Sequence, residues 1–301
     1  MDKNESVGLS SEISVYINEN APVVDLDKDK TERIKNAYNE KQIKMLEKSG
    51  VFKGDWELYY AVYTFCNALN VWEKGDKEYI YKLFNLSKKF DASWFDEDPY
   101  LKSVKIKDKK IGNFFLTNAV YEKGEIFQYD EPDFYNGLCV SKLGVCAEKV
   151  SFPAIYEGNM PWMSVCPSEI FSMKEDIERA FGKVLVLGLG LGYYPFVCSL
   201  KENVTEITIV ELSGEVIDIF NAEIFPYFKN KEKIKVVKAD AIEYLEKANR
   251  KDYDFCFADI WESQTDGAYY YKKIKPFEKK LPETRFAYWI EESIKYYLEN
   301  I

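Results

Sequence analysis

The sequence predicts an α/β chain: a doubly wound, mostly parallel sheet in the C-terminal half, preceded by an N-terminal α+β domain. Three observations carry this. After Lys183 short apolar runs alternate with segments of helical length, the pattern of a parallel sheet covered on both faces. A glycine-rich turn, Gly188-Leu189-Gly190-Leu191-Gly192, follows the first of those runs directly. Between residues 102 and 158 the texture is instead alternating or aromatic, broken by turn formers.

Residues 1–27 show no sustained periodicity and read as an irregular arm. Residues 28–47 read as a helix with Ile34, Ala37, Tyr38 and Leu46 at its apolar positions, stopped by Gly50. Two more helices, over 55–72 and 76–90, are separated by Lys74-Gly75-Asp76. Residues 112–116 and 125–129 read as strands of antiparallel hairpins, with Gly124, Pro132, Gly137 and Gly144 between and after them. A helix over 167–181 starts at Pro167, whose missing N–H has no helical partner in a first turn anyway. Ile170, Met173, Ile177 and Phe181 give it one apolar face, and Gly182 ends it.

Strands follow at 184–187, 207–210, 234–237 and 255–258, with helices over 214–220 and 241–247. Right-handed crossovers make such a sheet doubly wound. Residues 285–290 supply a fifth strand, and a helix over Ser293–Asn300 closes the chain. The expected order is 3-2-1-4-5 with a shortened C-terminus, open to extension by N-terminal strands. The expected domains are 1–160, helical over 28–90 and β-rich over 102–158, and 161–301.

Composition narrows the chemistry. The 301 residues carry 51 acidic and 41 basic side chains, a net charge of −10, and the lysines are interleaved with acids. That disfavours a nucleic-acid partner, which calls for a basic stripe. The absence of histidine removes Ser-His and Cys-His nucleophiles and most transition-metal sites, so no metal is expected. The six cysteines form no Cys-x-x-Cys pair and sit in apolar runs, as buried thiols of a reducing compartment do. With a polar N-terminus and no run approaching the ~20 apolar residues of a membrane span, a cytoplasmic protein is expected.

The glycine turn must reverse sharply while its backbone approaches a ligand, and glycine serves both needs. A dinucleotide fingerprint spaced G-x-G-x-x-G/A would place its last small residue at Tyr193, and the Gly-Lys-Ser/Thr of a phosphate-binding loop is absent. The G-x-G-x-G arrangement of Gly188, Gly190 and Gly192 resembles that of class I S-adenosylmethionine-dependent methyltransferases. Residues 183–266 are most similar to the spermidine synthase branch, in Val184–Gly188, Ile209-Val210-Glu211-Leu212 and the Tyr253–Asp259 segment.

The resemblance implies a Rossmann-like fold and S-adenosylmethionine as cofactor. Glu211 would then accept both ribose hydroxyls, with Leu212 beside it, and Asp240-Ala241 would contact adenine. Asp259 would lie beside the reactive end, and Tyr193 would flank it together with Tyr194 and Trp261. The segment 161–167 would close over the cofactor through Met163 and Ser164.

Asp259 and Glu262 echo two catalytic-loop aspartates of aminopropyltransferases, three residues apart, and are the expected catalytic pair. Two departures stand out. Leu191 replaces an aspartate of the glycine loop, and Ser263 replaces a proline after the second acid. The expected function is methyl transfer to a small molecule or protein side chain. Aminopropyl transfer and a catalytically silent S-adenosylmethionine-binding protein are the alternatives. The N-terminal domain would select the acceptor or build a homodimer.

Overall fold

The computed structural model describes residues 1–299, and the chain divides into two compact units. The first comprises Met1–Asp96 and Val120–Ser151, the second Glu97–Ala119 and the residues from Phe152 onward.

The first unit opens on an 18-residue helix, Lys3–Asn20, where the sequence suggested an irregular arm. Its N-terminus carries a reciprocal cap between Asp2 and Glu5. Ser6, Leu9, Ser10, Ile13 and Ile17 form its buried face. Two of these positions are serines, so the stripe is invisible to a hydrophobicity count. Their hydroxyls are satisfied inside the unit: Ser10 Oγ lies 2.6 Å from Ser141 Oγ, and Cys139 N–H donates to Ser6 Oγ at 3.0 Å.

The predicted helix over 28–47 is two helices, Lys28–Asn36 and Glu40–Lys48, because Asn39 starts a new one with Gln42 completing its cap. Helices Trp56–Ala68 and Lys77–Leu86 bury Val62, Phe65, Leu83 and Phe84 in the same core. A three-stranded sheet sets Leu138–Cys146 between Lys88–Phe90 and Ile126–Tyr135. The tight turn of its hairpin is Asn136-Gly137, both at positive φ.

The second unit is built on a five-stranded parallel sheet. Its spatial order is Ile234–Lys238, Val204–Glu211, Gly182–Leu187, Phe255–Ala258, Arg285–Tyr288. Every pairing in it is parallel. The two central strands are apolar where both faces are covered: all of Phe255–Ala258 is buried, as is Val184–Leu187. Helices Pro167–Arg179, Tyr193–Ser199, Gly214–Ile219, Ala241–Lys247 and Gln264–Ile274 lie between or before the strands. The last helix runs over Glu291–Glu299; Asn300, assigned to it from sequence, lies outside the described residues.

Among the described residues no N-terminal strand joins this sheet. Lys109–Ile111, Phe114–Tyr121, Val150–Glu157 and Met160–Ser164 form a separate four-stranded sheet instead. Instead of the single boundary expected near residue 160, the chain crosses between the units three times, after Asp96, Ala119 and Ser151, since Glu97–Ala119 and the chain from Phe152 fold with the C-terminal sheet. The physical reason lies in side-chain anchors. The fully buried Tyr100 donates its hydroxyl to the Leu191 carbonyl at 2.6 Å, and Tyr193 donates to Asp98 Oδ2 at 2.9 Å.

Tyr100→Phe would leave that buried carbonyl without a partner, at a cost of about 1–2 kcal/mol. The expected result is a lower urea midpoint at unchanged slope, read by circular dichroism. Among the described residues no helix is long and apolar enough to cross a membrane, and the six cysteines are all free and buried.

Candidate active site

Strand order reverses between Gly182–Leu187 and Phe255–Ala258, whose outer neighbours lead away in opposite directions. Ligands of open α/β sheets bind at such a switch point, beyond the carboxyl ends of the strands. A cleft of about 730 Å³ occupies that edge, a volume in the range of small-molecule sites. Each of the five strands delivers a wall residue at or just after its carboxyl end: Gly188, Glu211, Asp240, Asp259 and Trp289.

The three glycines of the turn serve different needs. At Gly188 φ is +95°, and a Cβ would fall 1.8 Å from the Asp259 carbonyl oxygen. This glycine lets the first and fourth strands approach each other. At Gly190 φ is +53° and a Cβ would meet nothing nearer than Met163 Sδ at 3.9 Å, so its missing side chain leaves room in the cleft. Gly192, assigned to the cofactor from sequence, is not a wall residue; a Cβ there would sit 2.7 Å from the Phe220 ring. The turn has already curled back, with Gly192 N–H donating to the Leu189 carbonyl at 2.9 Å, and it packs against protein. The helix it starts, Tyr193–Ser199, is only seven residues long, so its dipole is small.

The remaining predicted residues all line the cleft. Glu211 accepts from Leu189 N–H at 3.0 Å on one carboxylate oxygen and from Ser213 N–H at 2.7 Å on the other. A carboxylate has about four acceptor positions, so both oxygens keep capacity for a ligand diol. Leu212 beside it is 67% exposed. Asp240 Oδ1 caps the next helix by accepting from Ile242 and Glu243 N–H, and Ala241 is the buried first residue of that helix. Met163 and Ser164 pair with Ile155 and Ala154 in the hairpin that forms another wall.

Tyr193 is buried with its hydroxyl on Asp98, and Tyr194 stacks on Phe257 at 3.9 Å between centroids, so both rings are tied into packing as well as lining the cleft. Glu262 is exposed at the rim; its N–H donates to Asp266, which also accepts from Ser263 and so holds the loop. Burial pushes Asp266 up, and the hydrogen bonds from Ser263 and the backbone outweigh it, leaving its pKa below the ordinary value. Trp261 is 6% exposed, and its indole N–H has no hydrogen-bond partner.

Glu169 is a wall residue that the sequence reading did not assign to the site. Glu169, from helix Pro167–Arg179, enters the cleft one turn before Met173, which lines it too. Met173 belongs to the helix's apolar stripe and Glu169 lies beside it, so no sequence pattern marks the acid. Burial raises the Glu169 carboxyl to about 7. Asp259 is held well above the usual carboxylate range, by burial first and then by the charges of Glu169 and Glu211. No lysine or arginine lines the cleft.

These carboxyls keep their protons in the folded chain at pH values where the unfolded chain has lost them. Folded Glu169 binds more protons than unfolded Glu169 between about 4.5 and about 7, so its contribution to stability falls as pH rises through that window. Glu169→Gln is therefore expected to gain thermal stability relative to wild type as pH goes from about 5 to about 7. Paired melting curves across that range check it.

Among the described residues no group of three or more His, Cys, Asp or Glu side chains is placed to hold a metal ion. No protein-family model matches the chain, and no curated protein sequence matches it. Among solved structures it is similar to spermidine synthase from Thermotoga maritima, at 14% identity and TM-score 0.32, over 44% of this chain and 50% of that one. A spermidine synthase in complex with the transition-state analogue AdoDATO gives 15% identity and TM-score 0.32, over 44% and 49%. A Klebsiella pneumoniae protein assigned as an O-methyltransferase gives 13% identity and TM-score 0.26, over 32% and 43%. The chain spans about half the length of these structures or less, and at such scores the functional argument rests on the cleft itself.

Proposed function

We propose that the second unit binds S-adenosylmethionine in this cleft and that the chain is a methyltransferase acting on a small molecule or a protein side chain. The observation that carries the reading is Glu211, a carboxylate at the end of the second strand, fixed by the glycine turn's own Leu189 N–H. A diol-binding acid is thereby locked to the loop that leaves space at Gly190.

The lining acids add support. A dinucleotide brings a diphosphate, which would face Glu211, Asp240, Asp259 and Glu169 with no lysine or arginine to neutralise it. A sulfonium brings positive charge, which the same walls favour.

When bound, the cofactor supplies a methyl group on a sulfonium whose neutral thioether leaves without acid catalysis. What the chain must supply is alignment and a dry enclosure. Trp261, Trp289 and the Met160–Ser164 strand are proposed to exclude water. Asp259 is proposed to orient the acceptor and, once a bound cation has displaced its own proton, to take the acceptor's, with Glu262 at the rim guiding entry. The first unit is proposed to select the acceptor or to form a homodimer; a nucleic-acid acceptor is not proposed.

Aminopropyl transfer is the second reading. The all-acid lining would also suit decarboxylated S-adenosylmethionine, which carries one positive charge more. Product analysis separates the cases: S-adenosylhomocysteine on adding acceptors supports methyl transfer, and methylthioadenosine supports aminopropyl transfer. Binding without turnover on any acceptor favours a silent binding protein.

A further inference from the structure

Glu169 and Asp259 reach the same cleft from the helix before the first strand and from the end of the fourth, 90 positions apart in sequence. Neither carboxyl has a hydrogen bond or ion pair to any described side chain or backbone group. Each is desolvated, and the two interact electrostatically. The other titratable groups facing them are Glu211, Asp240, Glu262, Asp266 and the tyrosines 193, 194 and 270, so nothing on the protein neutralises the pair. Beside them stand Trp289 and the buried Trp261, whose indole N–H is unpartnered. A desolvated carboxyl that feels the charge of another resists ionising unless a cation joins them. Aromatic faces at the same place add favourable contact for such a cation.

We propose that Glu169 and Asp259 form a seat for an organic cation, occupied either by the sulfonium of the cofactor or by an ammonium group of the acceptor. The proposal deepens the S-adenosylmethionine reading and rests on it for the sulfonium source alone. In the absence of ligand the pair retains a proton, because each carboxyl is desolvated. An arriving cation displaces that proton to solvent, with no covalent bond made or broken in the protein. Glu169 acts here through charge, so a neutral ligand of the same shape should not feel it.

The test is calorimetric titration of the full chain near pH 6.5 in two buffers of different ionisation enthalpy. The probes are S-adenosylmethionine, the thioether S-adenosylhomocysteine, which keeps the amino-acid zwitterion and lacks the sulfonium charge, and butylamine. A sulfonium seat is supported if wild type releases up to about one proton on binding S-adenosylmethionine and none on binding S-adenosylhomocysteine. Glu169→Gln should then weaken only the sulfonium ligand, by roughly tenfold, and abolish the proton release. An ammonium seat is supported if both adenosyl ligands are unaffected while butylamine binding releases a proton and is weakened by the substitution.

The proposal is overturned if no probe releases protons, or if the substitution weakens S-adenosylhomocysteine as much as S-adenosylmethionine. Should wild type bind neither adenosyl ligand, the cofactor reading fails, and the butylamine titration still decides the seat. The proton-release arm needs no variant, so a misfolded Glu169→Gln would not shield the idea.

Discussion

Gly188→Ala is expected to strip the second unit of much of its stability, whereas Gly190→Ala is expected to leave it folded and unable to bind ligand. At Gly188 a methyl group would lie 1.8 Å from a backbone oxygen that cannot rotate away, and the residue would be held at φ +95°. Overpacking costs roughly 1–3 kcal/mol and left-handed backbone about 1–2 kcal/mol more, so about 2–5 kcal/mol is at stake. A domain's whole stability is only about 5–15 kcal/mol. At Gly190 the backbone term alone applies, because the nearest atom to a Cβ is 3.9 Å away. Its methyl instead protrudes where a ligand is proposed to lie. Circular dichroism melts separate the two variants, and the opposite ranking would mean that the turn is not packed as described.

The second large effect concerns the acid at the end of the second strand. Glu211→Ala is expected to weaken any adenosyl ligand by at least about a hundredfold. Hydrogen bonds to a charged group are worth about 1.5–3 kcal/mol each, and a ribose offers two hydroxyls. Some of that loss would come from the glycine turn itself, since Leu189 N–H and Ser213 N–H lose their acceptor. Glu211→Gln separates the contributions: it retains one acceptor oxygen for the turn and lacks the charge. An intermediate loss is expected, measured by competition with a fluorescent adenosyl ligand. Equal affinity in Glu211→Ala and wild type would remove Glu211 from the site.

How much of this was readable in advance depended on whether a residue's role is local. The alternation of apolar strands with helices was legible because a parallel sheet buries both faces of its strands, and a bare apolar run records that. The acids closing those runs were legible for the same reason, since each stands where the apolar run stops. The helix Lys3–Asn20 was hidden because two core positions are serines whose partners, Ser141 and Cys139, lie more than a hundred residues away. Residues 97–119 could not be assigned to the second unit from their own texture. What holds them includes one buried tyrosine hydroxyl on Leu191.

A glycine needed for packing and a glycine needed for a ligand look alike in sequence, and Gly192 is packed where Gly190 is open. Their difference lies in Phe220, the ring that a Cβ would strike. Glu169 was missed because nothing local marks it. Its high proton affinity arises from burial, and its charge is felt by Asp259, two facts of tertiary structure alone.

The most direct measurement is a calorimetric titration of the wild-type chain with S-adenosylmethionine and, separately, with NAD. Saturable one-to-one binding of S-adenosylmethionine with no heat from NAD is the expected result. It would place the cofactor reading on the ligand rather than on the cleft. Binding of NAD in preference, or no binding of any adenosyl sulfur ligand, would contradict it and leave the acidic cleft to a cation of another kind.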